Sequence, residues 1–374
     1  MEFFEDFTSN TCASGANQHI FLSEPGQVHT GRVFYKITEP GAWRYRFLFS
    51  NVIDSTYADG SVSCKNRICE EWTILEARVA SCGREVLDCD FTEGEAADRV
   101  NREKLPFQRV LFNGEPCKKV APGEFFTSDS VALAFSEGDY LCLELTFCGS
   151  VLPYHEESLL PIFRKTESGW VYDRRMPLPG MVGCDRPVED RIGYIGDSIT
   201  QGIGTPRNSY LHWNAILSEK LGSRYAFWNL GIGYGRADDM ASLGAWAFKA
   251  KHNDILIMCY GVNDILRGYS AERIMENLER IVDFFHREGK KIIVQTVPPF
   301  DYDREKTRVW QRVNTYIRQE LSQKADHLFD VAPLLAKSPD EPQRAKFGGH
   351  PNEDGCRLWA EALYYDLTSQ GILE

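Results

Sequence analysis

The sequence predicts an α/β protein of two domains: an N-terminal β-sandwich of jelly-roll type with a linker, residues 1–188, and a C-terminal three-layer α/β/α domain, residues 189–374. Three observations carry that expectation. A chain of 374 residues exceeds what one ordinary hydrophobic core organises. The first half alternates apolar and polar residues with period two. The second half repeats strand, loop and helix.

In the first half, Trp43, Tyr45, Phe47 and Phe49 fall on one face of a strand and Arg44, Arg46 and Leu48 on the other. Leu141, Leu143, Leu145 and Phe147 repeat the pattern, and 74–80, 107–112 and 131–135 read as shorter strands. Asn113-Gly114, Pro122-Gly123 and Glu137-Gly138 supply the turns between them. Many short strands with such punctuation predict two packed antiparallel sheets. From about 160 to 190 the periodicity stops, and Pro177, Pro179, Gly180, Gly183 and Pro187 predict the linker.

After residue 190 the elements alternate. Strands are expected at 191–195, 225–230, 255–260, 292–297 and 327–331, and helices at 210–221, 271–287, 309–321 and 353–367. The helix at 271–287 is the most regular, with Ile274, Leu278, Ile281, Val282 and Phe285 spaced by three and four. Such βα units predict a parallel sheet with helices on both faces and a site at the carboxyl ends of the strands.

Composition narrows the partners. A formal net charge of −12 lacks the basic face that nucleic acid or an anionic membrane demands. No run reaches the roughly 20 apolar residues of a spanning helix, and the acidic start Met-Glu-Phe-Phe-Glu-Asp-Phe does not read as a signal peptide. The 11 cysteines form no Cys-x-x-Cys pair, so neither a metal nor another cofactor is expected, and reduced thiols in a cytoplasmic protein are the economical reading. The sequence leaves the oligomeric state open.

Four segments carry chemistry, each at a strand end. Gly196-Asp197-Ser198-Ile199-Thr200 follows the first strand of the second half and offers Ser198 as a nucleophile near backbone N–H donors. Asn229-Leu-Gly231-Ile-Gly233-Tyr-Gly235 follows the second; its glycines miss the dinucleotide spacing, because Arg236 stands where the third would fall. Gly261-Val262-Asn263-Asp264 follows the third and offers the Asn263 amide as an oxyanion donor, with Asp264 tying the loop down. Gly348-Gly349-His350-Pro351-Asn352 precedes the last helix and offers His350 as general base and acid.

In this order, the four blocks resemble those of the SGNH, or GDSL-type, hydrolase family over roughly residues 190–370. The resemblance implies a flavodoxin-like three-layer fold, Ser198 and His350 as catalytic residues, Asn263 and a glycine as oxyanion-hole donors, and no cofactor or metal. The family's glycine lies five residues after the block's asparagine. Here that position is Tyr234, so the role passes to Gly235 if one residue is inserted, or to Gly233. The first half, through Phe49-Ser50-Asn51, 111–114 and 127–131, resembles the β-sandwich preceding that domain in some bacterial two-domain esterases.

One departure stands out. The family's aspartate three residues before the histidine is Phe347 here. Three readings follow: a backbone carbonyl orients His350 in a Ser-His dyad, another carboxylate such as Asp330 or Asp340 completes an atypical triad, or the site is inactive. The expected function is hydrolysis of short acyl, above all acetyl, esters of small molecules or oligosaccharides. The alternatives are a carbohydrate-binding protein with an inactive hydrolase domain and a short-chain lipase or thioesterase. Trp213, Tyr234 and Trp310 offer candidate stacking faces for a sugar.

Overall fold

A computed structural model describes residues 2–55, 65–83, 87, 93–102, 104–155 and 159–373. The chain divides into two compact units, Met1–Pro187 with Arg207–Ser209, and Val188–Pro206 with Tyr210–Glu374.

The first unit is built on long strands rich in aromatic and β-branched residues, which suit a pleated, half-buried surface. Tyr140–Gly149 lies between Val28–Lys36 and Trp72–Cys82, antiparallel to both. Leu143 faces Val33 on one side and Val79 on the other. These strands form the middle of a seven-stranded sheet. A five-stranded sheet is organised around Gly41–Ser50. Tyr45, Phe47 and Phe49 from that strand meet Val33, Tyr35, Leu141 and Leu145 in one core, so the two sheets bury their inner faces together. On the outer face of the larger sheet, the buried Glu144 carboxylate is held by Arg32, at 2.5 Å, and by Arg78 across the neighbouring strand. A buried charge is tolerated only with such partners.

The linker reading of residues 160–190 needs correction. Ile162–Thr166 pairs with Gly169–Tyr172 and with Val28–Lys36, and Met181–Cys184 pairs with Gly41–Ser50. The segment is therefore woven into both sheets. Its glycines and prolines punctuate short strands whose partners lie far away in sequence.

The second unit holds a five-stranded parallel sheet in the order Tyr225–Asn229, Asp190–Gly196, Ile255–Cys259, Lys291–Gln295, His327–Phe329. Apart from the edge strand His327–Phe329, the strands are largely apolar runs buried on both faces, as parallel strands under helices must be. Strand order reverses between the first and third strands, the usual place for a ligand crevice. Ala271–Arg287 buries Ile274, Leu278, Ile281, Val282 and Phe285, the stripe its periodicity predicts. Glu353–Ser369 packs on Trp213–Leu221, where the Trp359 and Trp213 rings stack at 4.8 Å. Trp359 Nε1 also donates to Gln295 Oε1 at 2.8 Å. Burying one such side chain contributes about 1.5–3 kcal/mol, so the helix after the His350 loop is docked by packing. No helix among the described residues is long and apolar enough to cross a membrane. Cys69, Cys117, Cys142, Cys148, Cys184, Cys259 and Cys356 are free thiols.

Candidate active site

Ser198 opens a single helical turn, Ser198–Gln201, directly after the first parallel strand. Asp197 caps it by accepting the Ile199 N–H at 2.9 Å. Gly202, with φ 118°, ends the turn, and its N–H donates to Ser198 O at 3.1 Å. Asn214 Nδ2 fixes the turn from the next helix by donating to Thr200 O at 2.7 Å. The second-strand loop presses close enough that Gly231 is required: a Cβ there would lie 2.2 Å from the Gln201 nitrogen. Ser198 is thus held in place by its neighbours and is 9% exposed.

His350 is brought to it by the loop before the last helix. Ser198 Oγ and His350 Nε2 are 2.8 Å apart, hydrogen-bonding distance for a proton to pass from oxygen to nitrogen. Gly204, with φ 106°, backs the loop, since a Cβ there would meet Pro351 O at 2.6 Å and His350 O at 2.9 Å. Asn352 caps the following helix by accepting the Gly355 N–H at 3.1 Å. The Phe300 ring stands edge-to-face against the imidazole, centroids 5.4 Å apart and planes at 80°. Sequence reasoning missed Phe300, although an aromatic residue just past Pro298-Pro299 at a strand end was the available signal.

The third block contributes Asn263, which lies in the short helix Val262–Leu266 and is 8% exposed. Its Nδ2 donates to Gly235 O at 3.1 Å. An amide nitrogen carries two donors, so one bond on Gly235 leaves the other N–H to serve an incoming oxygen. Asp264 ties the loop down as expected, accepting Ala237 N–H at 3.0 Å. Burial pushes the Asp197 and Asp264 carboxyls up to about 7, and each receives main-chain donors that oppose the shift.

Gly235 does not fit the donor role expected of it. Its N–H is already donated to Ile232 O at 3.0 Å, closing a turn. Tyr234, five residues after Asn229, adopts φ 59°, the left-handed region that glycine favours. The tyrosine takes a conformation that glycine adopts freely, at a cost of about 1–2 kcal/mol. Of the three candidate stacking residues, Trp213 and Trp310 are core, 0% and 4% exposed, whereas Tyr234 is 38% exposed.

The hydrogen bond to Ser198 is the only one the imidazole makes among the described residues, so neither the carbonyl nor the carboxylate partner anticipated for Nδ1 is found. Asp330 is held by Arg318, 2.8 Å from its Nε, and by Thr296. Asp340 is exposed at the hairpin between Ala336–Ser338 and Glu341–Ala345. Phe347, in the place of the family's acid, packs against Gly355, and its carbonyl accepts the Asn352 N–H at 3.1 Å. Pro351 O accepts from Cys356 Sγ. The loop's own polar groups are engaged within it.

Burial alone therefore sets the His350 pKa, lowering it from the ordinary 6.5. A general base must be neutral to accept a proton, so activity is present above that pKa and lost below it. The acidic limb of a kcat/KM profile is expected to fall below pH 6.5. A limb at or above 6.5 would require a carboxylate partner for the imidazolium.

Residues 194–358 match the GDSL-like Lipase/Acylhydrolase family. No curated protein matches the sequence. Among solved structures the chain is similar to a member of the lipolytic protein G-D-S-L family from Veillonella parvula DSM 2008, at 21% identity and TM-score 0.39, over 48% of this chain and 98% of that one. It is also similar to the psychrotrophic esterase EstA from Pseudoalteromonas sp., at 18% identity and TM-score 0.40, over 50% and 100%. A third similar structure is the acetyl xylan esterase AlAXEase, at 20% identity and TM-score 0.40, over 47% and 99%.

Proposed function

From the premise that residues 194–358 are a GDSL-like lipase/acylhydrolase domain and the protein a carboxylic ester hydrolase, we propose that it removes acetyl or other short acyl groups, from carbohydrate esters, through a Ser-His dyad. The observation that carries the dyad is the 2.8 Å contact between Ser198 Oγ and His350 Nε2.

Ser198 Oγ attacks the ester carbonyl carbon while His350 Nε2 takes its proton. The tetrahedral oxyanion is met by the second Asn263 N–H, the Ser198 N–H and the main chain at Gly233. Collapse expels the alcohol, which receives the proton from His350 and leaves an acyl-enzyme. Water then attacks the acyl carbon, with His350 again as base, and the acid departs as Ser198 regains its proton. No carboxylate among the described residues bonds the imidazole and burial disfavours the imidazolium, so the base works without a charged partner. Losing the acid alone costs far less than losing serine or base in a well-studied triad enzyme, which makes a dyad adequate.

Chain length tests the acyl preference. Purified protein is expected to turn over the p-nitrophenyl acetate ester faster than the butyrate, and the butyrate faster than the decanoate. Faster decanoate turnover would replace this reading with a lipase or thioesterase. The alternative of a carbohydrate-binding protein with an inactive site predicts no turnover of any of the three.

A further inference from the structure

We propose that Tyr234 is a specificity residue: its ring forms a stacking face beside the oxyanion site for the pyranose ring of an acetylated sugar. The inference rests on the hydrolase reading above and adds to it a recognition element for the alcohol part of the ester.

Three observations converge on this residue. The first is conformational. Tyr234 holds φ 59°, where a bulky side chain is a genuine outlier. Such strain persists only where surrounding structure over-determines it, and such outliers cluster at ligand-binding positions. Here the loop is fixed at several points. Ile232 N–H donates to Gly196 O at 3.2 Å, Gly231 abuts the nucleophile turn, and Asn263 Nδ2 holds Gly235 O at 3.1 Å. The backbone on either side of Tyr234 is therefore tied both to the Ser198 turn and to the Asn263 loop.

The second is exposure. Tyr234 is 38% exposed, in a segment whose neighbours Ile232 and Ala237 are at 0%. A side chain kept for packing would be buried like them. The third is chemistry. A tyrosine presents a broad apolar face with a hydroxyl at its edge, and it loses little conformational freedom when it binds. A pyranose presents an apolar C–H face rimmed by hydroxyls, which matches that surface. The other aromatic candidates are unavailable: Trp213 stacks on Trp359, and Trp310 Nε1 donates to Val297 O at 2.8 Å within the core.

The test compares two acetyl esters that differ in the alcohol: ethyl acetate, which has no ring, and a peracetylated methyl pyranoside, both followed by acid release. Tyr234→Gly is expected to lower kcat/KM for the pyranoside by about tenfold, mainly through KM, as fits the loss of one aromatic contact. Its effect on ethyl acetate should be threefold or less. Tyr234→Phe keeps the stacking face and should hold both values within about twofold. Tyr234→Leu, which keeps a Cβ and similar bulk, should follow the glycine variant and guards against a loop rearranged by glycine. An equal loss on both esters, or no loss on either, overturns the proposal while leaving the hydrolase reading intact. Wild-type protein inert towards ethyl acetate overturns the hydrolase reading and the proposal with it.

Discussion

Ser198→Ala is expected to lower kcat by at least about 10³-fold and towards about 10⁶-fold, and His350→Ala to do nearly the same. The reason is geometric. At 2.8 Å the two side chains share one proton, and neither is useful alone. A serine hydroxyl is a weak nucleophile without its base, and the base has nothing to deprotonate without the hydroxyl. The double variant should therefore be little worse than either single one. Steady-state kinetics on p-nitrophenyl acetate measure this directly, and losses that multiply in the double variant would mean the residues act independently. A fluorophosphonate probe gives a second reading. It should modify wild-type protein at Ser198, and labelling that survives Ser198→Ala would place the nucleophile elsewhere.

Asn263→Ala is expected to lower kcat by about 10²–10³-fold with KM nearly unchanged, the signature of a donor that acts on the transition state. One Asn263 N–H is engaged with Gly235 O at 3.1 Å, which holds the amide plane in place before substrate arrives. A donor fixed in advance needs no reorganisation as negative charge develops. The substitution also cuts the link to the Gly235 loop, so thermal unfolding should be recorded alongside the kinetics. A raised KM with kcat retained would assign Asn263 to ground-state binding.

The catalytic half was legible because parallel strands buried on both faces must be apolar runs. Asp190–Gly196, Ile255–Cys259 and Lys291–Gln295 fall within a residue or two of the expected spans. Chemistry read at the ends of these strands and before the last helix picked out Ser198 and His350, which lie 2.8 Å apart. Helix starts were less legible. Arg304–Gln319 begins at the Asp303 cap, five residues before the apolar periodicity at Val309, because its first turn faces outward and is charged. Met181–Cys184 escaped notice because its partner, Gly41–Ser50, is distant in sequence and the glycines around it mimic a loop. The left-handed backbone of Tyr234 was not legible, because a bulky side chain rarely adopts it. The missing acid was visible at Phe347, whereas the fate of Asp330 depended on Arg318, which no spacing rule could supply.

The hydrogen bond between Ser198 and His350 joins positions 152 residues apart. A chain emerging during synthesis therefore carries its nucleophile long before its base. The serine remains an ordinary alcohol while the second to fifth strands are added and the helix after His350 settles on Trp213. In refolding, the return of esterase activity should coincide with the last long-range docking event, and lag behind the return of secondary structure.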